Sequence, residues 1–164
     1  MPHLTKDELT AFLPHAGSMQ LLDRAASWDE SSIRCHTKTH HDPANPLRRG
    51  ARLDAVAGIE YAAQAMGVHV GLLNGGRSSG GLIGYVGGVR DVVFGIDRLD
   101  DCPDELTIDA TRLFMGDDSF LYRFAISSGG REVMSGRASM FLKARRIGSG
   151  GVRSPWSAAA PSRR

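Results

Sequence analysis

Side chains suited to proton transfer cluster in one stretch of the sequence, from His40 to His69. A loop rich in proline and arginine begins with paired imidazoles, His40 and His41, and a long apolar helix pattern follows that carries the carboxylate of Glu60. A neutral imidazole can accept a proton near pH 7, and apolar surroundings can keep a carboxylic acid protonated. The stretch therefore indicates general acid–base chemistry, with a base in the loop and an acid on the helix.

The surroundings of Glu60 favour the acid role. Its sequence neighbours and the adjacent helical turns are apolar (Val56, Ile59, Tyr61 and Ala63). The competing interpretation is a carboxylate on a water-exposed helix surface. Gln64 lies one turn further along the same face, where it either orients the carboxyl or the substrate, or only satisfies a buried polar group.

The other polar side chains of the stretch have plainer interpretations. His15 and His69 fit structural roles. A metal site of His36, His40 and His41 lacks a cysteine or carboxylate ligand at the usual spacing, so we expect no metal. The loop arginines are equally consistent with a solvated loop and with binding of a phosphate or an acidic partner (Arg48, Arg49 and Arg52).

Composition indicates one ordinary globular domain. The chain has 164 residues, 41% hydrophobic and 23% charged, and we expect a single domain over residues 1–146. Residues 143–164 hold six basic side chains and no acid, so residues 1–142 hold 14 basic and 18 acidic ones. This mildly acidic body argues against a broad nucleic-acid-binding face, and the basic segment 147–164 is expected to be disordered.

Two cysteines far apart, Cys35 and Cys102, predict free thiols in a reducing compartment. We see no secretory signal pattern and no apolar run long enough to cross a membrane. The sequence therefore predicts a cytoplasmic protein that binds no membrane.

The order of elements predicts an α+β fold. Thr5 is expected to cap a short helix that ends before Pro14, and Asp54 to cap a long helix that reaches about Leu73. The other segments read as strands: Met19–Trp28 and Ile33–Thr39 in a hairpin, then Leu82–Ile96, Leu106–Met115, Phe120–Ser127 and Glu132–Leu142. An antiparallel sheet of about six strands would cover the long helix on one side and leave open edges, which favours dimerisation by edge pairing.

Three motifs resemble the hotdog-fold 3-hydroxyacyl-[acyl-carrier-protein] dehydratases. Leu13-Pro14-His15 with Leu21-Leu22-Asp23-Arg24 is similar to the opening LPHxxxxLLxDR segment of that family. The segment from His41 to Pro46 is similar to its HxPxNP loop, which carries the catalytic histidine. Glu60-Tyr61-Ala62-Ala63-Gln64 is similar to its ExxAQ helix turn, which carries the catalytic acid.

The chain departs from the housekeeping members where the helix begins. They have MPG there, whereas this chain has RRGARLDA at Arg48–Ala55, so the spacing between the histidine and the glutamate is longer. It more closely resembles a smaller branch of predicted dehydratases with an NPLR loop and an IEYAAQA helix. Some of these are associated with aryl-polyene synthesis, and the resemblance implies that such a subunit can pair with a second hotdog chain.

The resemblance implies roles for individual residues. His41 rather than His40 would be the base and Glu60 the acid, with Gln64, Asn45 and Pro46 in support. The two catalytic groups would meet across a dimer interface.

The resemblance also implies the reaction and the partners. The activity would be elimination of water from 3-hydroxyacyl thioesters in fatty acid or polyene biosynthesis, with no cofactor of its own. The substrate would be carried on the phosphopantetheine of an acyl carrier protein, towards which the loop arginines would face. A homodimer and a heterodimer with another hotdog chain both fit, and an acyl thioesterase or a non-catalytic subunit remains an alternative.

Overall fold

One antiparallel sheet of seven strands covers a long helix in the structure, a computed structural model that describes residues 3–13, 17–75 and 82–144. The helices are α1 (Lys6–Leu9) and α2 (Gly58–Leu73). The strands are β1 (Leu4–Thr5), β2 (Arg24–Trp28), β3 (Ser32–Thr37), β4 (Leu82–Phe94), β5 (Leu106–Met115), β6 (Ser119–Ser128) and β7 (Arg131–Ala144), in the sheet order β1-β2-β3-β5-β6-β7-β4. The predicted α+β architecture and the β2–β3 hairpin are confirmed. The additional strand is β1, whose two residues pair with β2 and are too few for a pattern to reveal.

The strand predicted over Met19–Trp28 begins only at Arg24. Gly17–Met19 forms a 3₁₀ turn instead, and the backbone beyond it is held by a side chain of α2. The Gln64 amide donates to the Met19 carbonyl (2.7 Å) and accepts from the Leu21 N–H (2.9 Å). These peptide groups therefore bond the helix rather than a neighbouring strand.

Capping was predicted correctly for α1 and only in part for α2. Thr5 accepts from the Glu8 N–H while the Glu8 carboxylate accepts from the Thr5 N–H, a reciprocal capping box. Asp54 occupies the cap position of a 3₁₀ turn, Ala55–Ala57, that leads into α2, but its carboxylate caps no backbone N–H. The capping contact predicted for Asp54 is wrong, because neighbouring arginines bind that carboxylate instead.

Small residues let α2 press against its surroundings, as the sequence predicts. A Cβ on Gly58 would lie 2.5 Å from the Met134 sulfur, and one on Gly71 would lie 2.8 Å from the Phe12 ring. Alternate residues of the central strands point to the helix and are buried. They include Leu106, Ile108 and Ala110 of β5, Phe120, Tyr122, Phe124 and Ile126 of β6, and Met134, Ala138 and Met140 of β7.

His69 joins the helix to two parts of the sheet from inside the core. The side chain is fully buried, with one ring nitrogen, Nδ1, 2.7 Å from the Tyr122 hydroxyl and the other, Nε2, 2.8 Å from the Asp29 carbonyl. Because a carbonyl only accepts, Nε2 carries the proton and Nδ1 accepts from the tyrosine. These contacts agree with the structural role predicted for His69.

Two sequence predictions concern residues that the structure does not describe. His15 and the basic segment 147–164 lie outside them. Within the described part of the chain, no helix is long and apolar enough to cross a membrane.

We predict that His69→Leu lowers the free energy of unfolding by about 2–4 kcal/mol, because the Tyr122 hydroxyl would be buried without a partner. Urea unfolding at neutral pH measures the change. Tyr122→Phe removes the orphaned hydroxyl, so the double variant should lose less than the sum of the single variants. Additive losses would contradict a direct coupling between the two side chains.

Candidate active site

A chain of hydrogen bonds ties the histidine loop to the helix that carries Glu60. The Asn45 side-chain amide donates to the Tyr61 hydroxyl (3.0 Å) and to the Thr39 carbonyl (3.0 Å). Tyr61 bonds the Thr39 hydroxyl (2.8 Å), which bonds the Leu21 carbonyl (2.7 Å). The Asn45 amide nitrogen can only donate and the Leu21 carbonyl can only accept. Each hydrogen bond of the chain is therefore donated in the direction from Asn45 through Tyr61 and Thr39 to Leu21. Loop and helix are thereby held in one arrangement.

His40 and His41 converge on one backbone carbonyl, that of Cys102. The Nε2 atoms lie 3.1 Å (His40) and 2.5 Å (His41) from this oxygen, and the two ring centroids are 3.9 Å apart. His40 is fully buried, whereas His41 is exposed in the single chain. Of the two adjacent imidazoles, only that of His41 is accessible to a bound molecule.

The shared carbonyl determines the tautomer of both rings. A carbonyl oxygen accepts hydrogen bonds, so each Nε2 carries a proton and each Nδ1 presents a lone pair when the ring is neutral. The Nδ1 of His40 is buried with no hydrogen-bond partner among the described residues. Burial, followed by the nearby charge of His41, lowers the pKa of His40, which favours its neutral form. The His41 Nδ1 is then the nitrogen suited to accept a proton.

Glu60 lies in the first turn of α2 and is half-buried in the single chain. Of its predicted apolar neighbours, Tyr61 is buried and Ile59 is half-buried, but Val56 is 59% exposed. The Ala55 N–H donates to the Asp97 carbonyl (2.9 Å), which sets the start of the helix beside the segment that follows β4. Near its end β4 exposes two more apolar side chains, Val93 (62%) and Phe94 (48%). In the described single chain, the apolar side chains of Val56, Val93 and Phe94 are therefore exposed.

The residues predicted in support occupy different places. Asn45 braces the loop through Tyr61, while Pro46 is exposed. Both ends of the buried Gln64 amide are engaged with Met19 and Leu21. The position of Gln64 thus matches the interpretation as a buried polar group that stabilises the segment before β2.

The loop arginines bind the loop itself. The Arg48 guanidinium donates to three backbone carbonyls, those of His40, Asp42 and Ala51, at 2.8–2.9 Å. Arg49 and Arg52 both pair with Asp54, and these hydrogen bonds, that from Arg52 first, lower the pKa of the Asp54 carboxyl. The loop thus binds the donors of Arg48 through its carbonyls, while Arg49 and Arg52 share the single carboxylate of Asp54.

Sequence reasoning missed two parts of this site. Tyr61 was taken only as an apolar neighbour of Glu60, although a tyrosine that buries its ring usually needs a partner for its hydroxyl. The Cys102 carbonyl had no sequence signal, because every residue has a carbonyl and only the fold brings this one to the histidines. Among the described residues, no group of three or more histidine, cysteine, aspartate or glutamate side chains is arranged to hold a metal ion.

The fold places the chain among the hotdog proteins, and solved structures with the same fold support this. The chain is similar to a structure of the dehydratase heterocomplex ApeI:P from Xenorhabdus doucetiae, with a TM-score of 0.71 and 22% identity over 81% of this chain and 89% of that one. It is also similar to a mutant thioesterase from Pseudomonas aeruginosa, with a TM-score of 0.53 and 15% identity over 73% of this chain and 79% of that one. It is similar as well to a hypothetical thioesterase with coenzyme A from Streptococcus pneumoniae, with a TM-score of 0.51 and 18% identity over 75% of this chain and 87% of that one.

The family model for ApeP-like proteins, described as ApeP dehydratase, matches residues 7–146. The chain therefore belongs to the ApeP-like dehydratase family. This confirms the resemblance drawn from the three sequence motifs. A search of the curated proteins gave no match.

We predict that Tyr61→Phe lowers the free energy of unfolding by about 1–2 kcal/mol, because Asn45 and Thr39 each lose a buried partner. Urea unfolding of Tyr61→Phe, Thr39→Val and the double variant measures the coupling, which should be about 0.5 kcal/mol or more. A coupling of zero would show that the hydroxyls do not stabilise each other.

We predict that acid destabilises the fold through its buried histidines. Burial lowers the pKa values of His40 and His69, so protonation favours the unfolded state. Their contribution is complete above the ordinary histidine pKa of about 6.5 and is lost as the pH falls below it towards the folded-state values. Unfolding free energies measured from about pH 7.5 to pH 5 should therefore fall as the pH is lowered.

The matched variant for this titration is His40→Gln, whose amide can still donate to the Cys102 carbonyl but does not titrate. Its stability should fall less steeply than that of the wild type over the same window. At higher pH, where histidine is neutral, the two slopes should agree. Identical slopes throughout would contradict a titrating His40.

Proposed function

We propose that this protein is a dehydratase subunit that removes water from 3-hydroxyacyl thioesters carried on an acyl carrier protein, giving the 2-enoyl thioester. Membership of the ApeP-like dehydratase family supports the reaction class. The observation that carries the residue assignment is the accessible His41, whose Nε2–H is bound to the Cys102 carbonyl so that Nδ1 is left as the base. His40, fully buried, is poorly placed for that role.

The reaction requires two proton transfers. His41 Nδ1 takes a proton from the carbon next to the thioester, and the electron pair of that C–H bond forms the new carbon–carbon double bond. The bond to the 3-hydroxyl breaks, and Glu60 in its acid form protonates the departing oxygen to give water. The Cys102 carbonyl, through its hydrogen bond to Nε2–H, stabilises the imidazolium that results.

We further propose that the catalytic unit is a pair of hotdog chains joined along β4. In the described chain β4 is an outermost strand of the sheet, and its exposed apolar side chains include Val89, Val93 and Phe94. Open edges and apolar patches of this kind favour pairing with another chain. The similar Xenorhabdus doucetiae structure is titled as a heterocomplex, which supports a different hotdog chain as the partner.

Two alternatives follow from the comparisons. In the first, the chain supports catalysis by a partner without supplying the reacting groups, an arrangement that a heterocomplex permits. A thioesterase is the other candidate, because two similar structures are described as thioesterases. A thioesterase would release free thiol, whereas a dehydratase leaves the thioester intact.

We predict that Glu60→Gln lowers kcat for dehydration of a 3-hydroxyacyl carrier-protein thioester by about 10²–10⁴, because the amide has no proton of suitable acidity. His41→Ala should cause a loss of similar size by removing the base. Mass spectrometry of the carrier-bound product measures loss of water, with the chain assayed alone and with a co-expressed hotdog partner. Glu132→Gln, an exposed hairpin residue, is the matched control.

Each competing outcome has its own signature in these assays. Activity that survives both His41→Ala and Glu60→Gln in the presence of a partner would assign the chemistry to that partner. Thiol release without enoyl product would indicate a thioesterase. No product from a folded protein, with or without a partner, would remove support for the enzyme assignment.

A further inference from the structure

Three arginines stand side by side on the outer face of the sheet, the face turned away from α2. Arg137 of β7 lies directly opposite Arg123 of β6 on one side and Arg90 of β4 on the other, and all three are exposed. Like charges directly opposite one another disfavour strand pairing. We call these three residues the arginine row.

The arginine row is almost without compensating charge. Among the described residues, the exposed Asp91, 3.9 Å from the Arg137 guanidinium, is the row's only ion pair within 4.0 Å, and Arg90 and Arg123 form none. The loop arginines differ, because backbone carbonyls and Asp54 bind them. The row therefore offers another molecule the guanidinium groups of Arg90 and Arg123, which have no ion partner among the described residues.

A groove runs beside the arginine row across the same three strands. The next residues along the outer face form its floor, and those after them form an opposite wall: Leu121, Ser139 and Gly88 in the floor, then Ser119, Phe141 and Tyr85 in the wall. Gly88 leaves the floor open, because a Cβ there would meet nothing within 4 Å. Two adjoining hollows of about 250 and 320 Å³ lie in this groove, and Arg90, Arg137 and Phe141 line both of them.

The wall opposite the arginines is aromatic. Tyr85 and Phe141 are 38% and 37% exposed, with ring centroids 6.3 Å apart. Phe114, at 60% exposure, extends the apolar lining towards β5. The groove therefore has one wall of arginines and one wall with two aromatic rings, and the Lys143 ammonium lies 4.8 Å from the centroid of the Tyr85 ring.

The dimensions of the groove match an α-helix lying across the strands. Arginines on adjacent strands, about 4.8 Å apart, form a row of about 10 Å, and helix glutamates at positions i, i+4 and i+7 span about 10.5 Å. The two walls are four residues apart along the strands, or about 13 Å, and a helix with its side chains is about 10–12 Å wide. Such a helix would face the arginines with its acidic side and the aromatic rings with its apolar side.

We propose that this groove is a docking site for an acidic amphipathic helix of a partner protein. The proposal goes beyond the proposed function, because it concerns the face of the sheet opposite α2 and its test needs no turnover. A second copy applied face to face would oppose two arginine rows. A helix with one acidic side and one apolar side complements both walls.

The test uses a labelled synthetic helix of about 20 residues with glutamates at i, i+4 and i+7 and leucines on the adjoining face. Fluorescence anisotropy with the full-length protein should show saturable binding that weakens as salt is raised from about 0.01 M to 1 M. A peptide of the same composition with its glutamates spread around the helix should bind at least about threefold more weakly.

Variants distinguish the contribution of the arginine charges to peptide binding from that of the shape of the groove. Arg137→Gln should weaken binding of the peptide about threefold, and the double variant Arg123→Gln/Arg137→Gln about tenfold. Arg131→Gln, which removes an equal charge from the β6–β7 hairpin, should leave binding unchanged. Gly88→Leu fills the groove without changing charge and should weaken binding at least tenfold; its backbone is not in the left-handed region, so the side chain can be accommodated.

Thermal unfolding of each variant verifies that it is folded. Equal binding of the two peptides, or wild-type affinity in folded Gly88→Leu, would overturn the proposal. So would absence of binding at peptide concentrations up to about 1 mM. Sedimentation that shows self-association dissociated by Gly88→Leu would assign the groove to a second copy instead, and competition by an oligonucleotide would assign it to nucleic acid.

Discussion

The Tyr61 hydroxyl is the contact on which the candidate site depends. It accepts from Asn45 and bonds Thr39, so one buried group joins the loop of the histidines to the helix turn of Glu60. Tyr61 follows Glu60 directly, and Thr39 immediately precedes His40. Because buried hydrogen-bonded groups are costly to separate, loop and helix turn are fixed relative to each other before any substrate binds.

A backbone group orients the candidate base where many enzymes use a carboxylate. The Cys102 carbonyl accepts from both His40 and His41, so the loop presents one buried imidazole packed against one exposed imidazole. The buried ring is favoured in its neutral form by desolvation, and it supports the exposed ring without adding a second charge. This division of roles gives a physical reason for two adjacent histidines in one loop.

Local sequence patterns predicted the structure correctly where strand bounds and buried faces depend on periodicity or on neighbouring residues. The predicted β5 has its observed bounds, and the alternation of Ile33, Cys35 and Thr37 identifies the buried face of β3. They failed where a partner distant in sequence decides the structure. Gln64 takes the backbone of Met19 and Leu21 out of the predicted strand, across more than 40 residues.

The same distinction applies to charge. The loop arginines form a conspicuous cluster in the sequence, and their hydrogen bonds go to Asp54 and to the loop carbonyls. Arg90, Arg123 and Arg137 are far apart in the sequence and become neighbours only through the register of three strands. Local sequence patterns therefore do not reveal a charge cluster that strand register creates.

The described part of the single chain leaves the candidate acid partly open to water. Glu60 is half-buried, and Val56, one turn before it, is 59% exposed. Val93 and Phe94 expose further apolar surface on an outermost strand. In the proposed pair a second hotdog chain would cover this surface and exclude water from the acid. Assembly along β4 would then be a condition for catalysis.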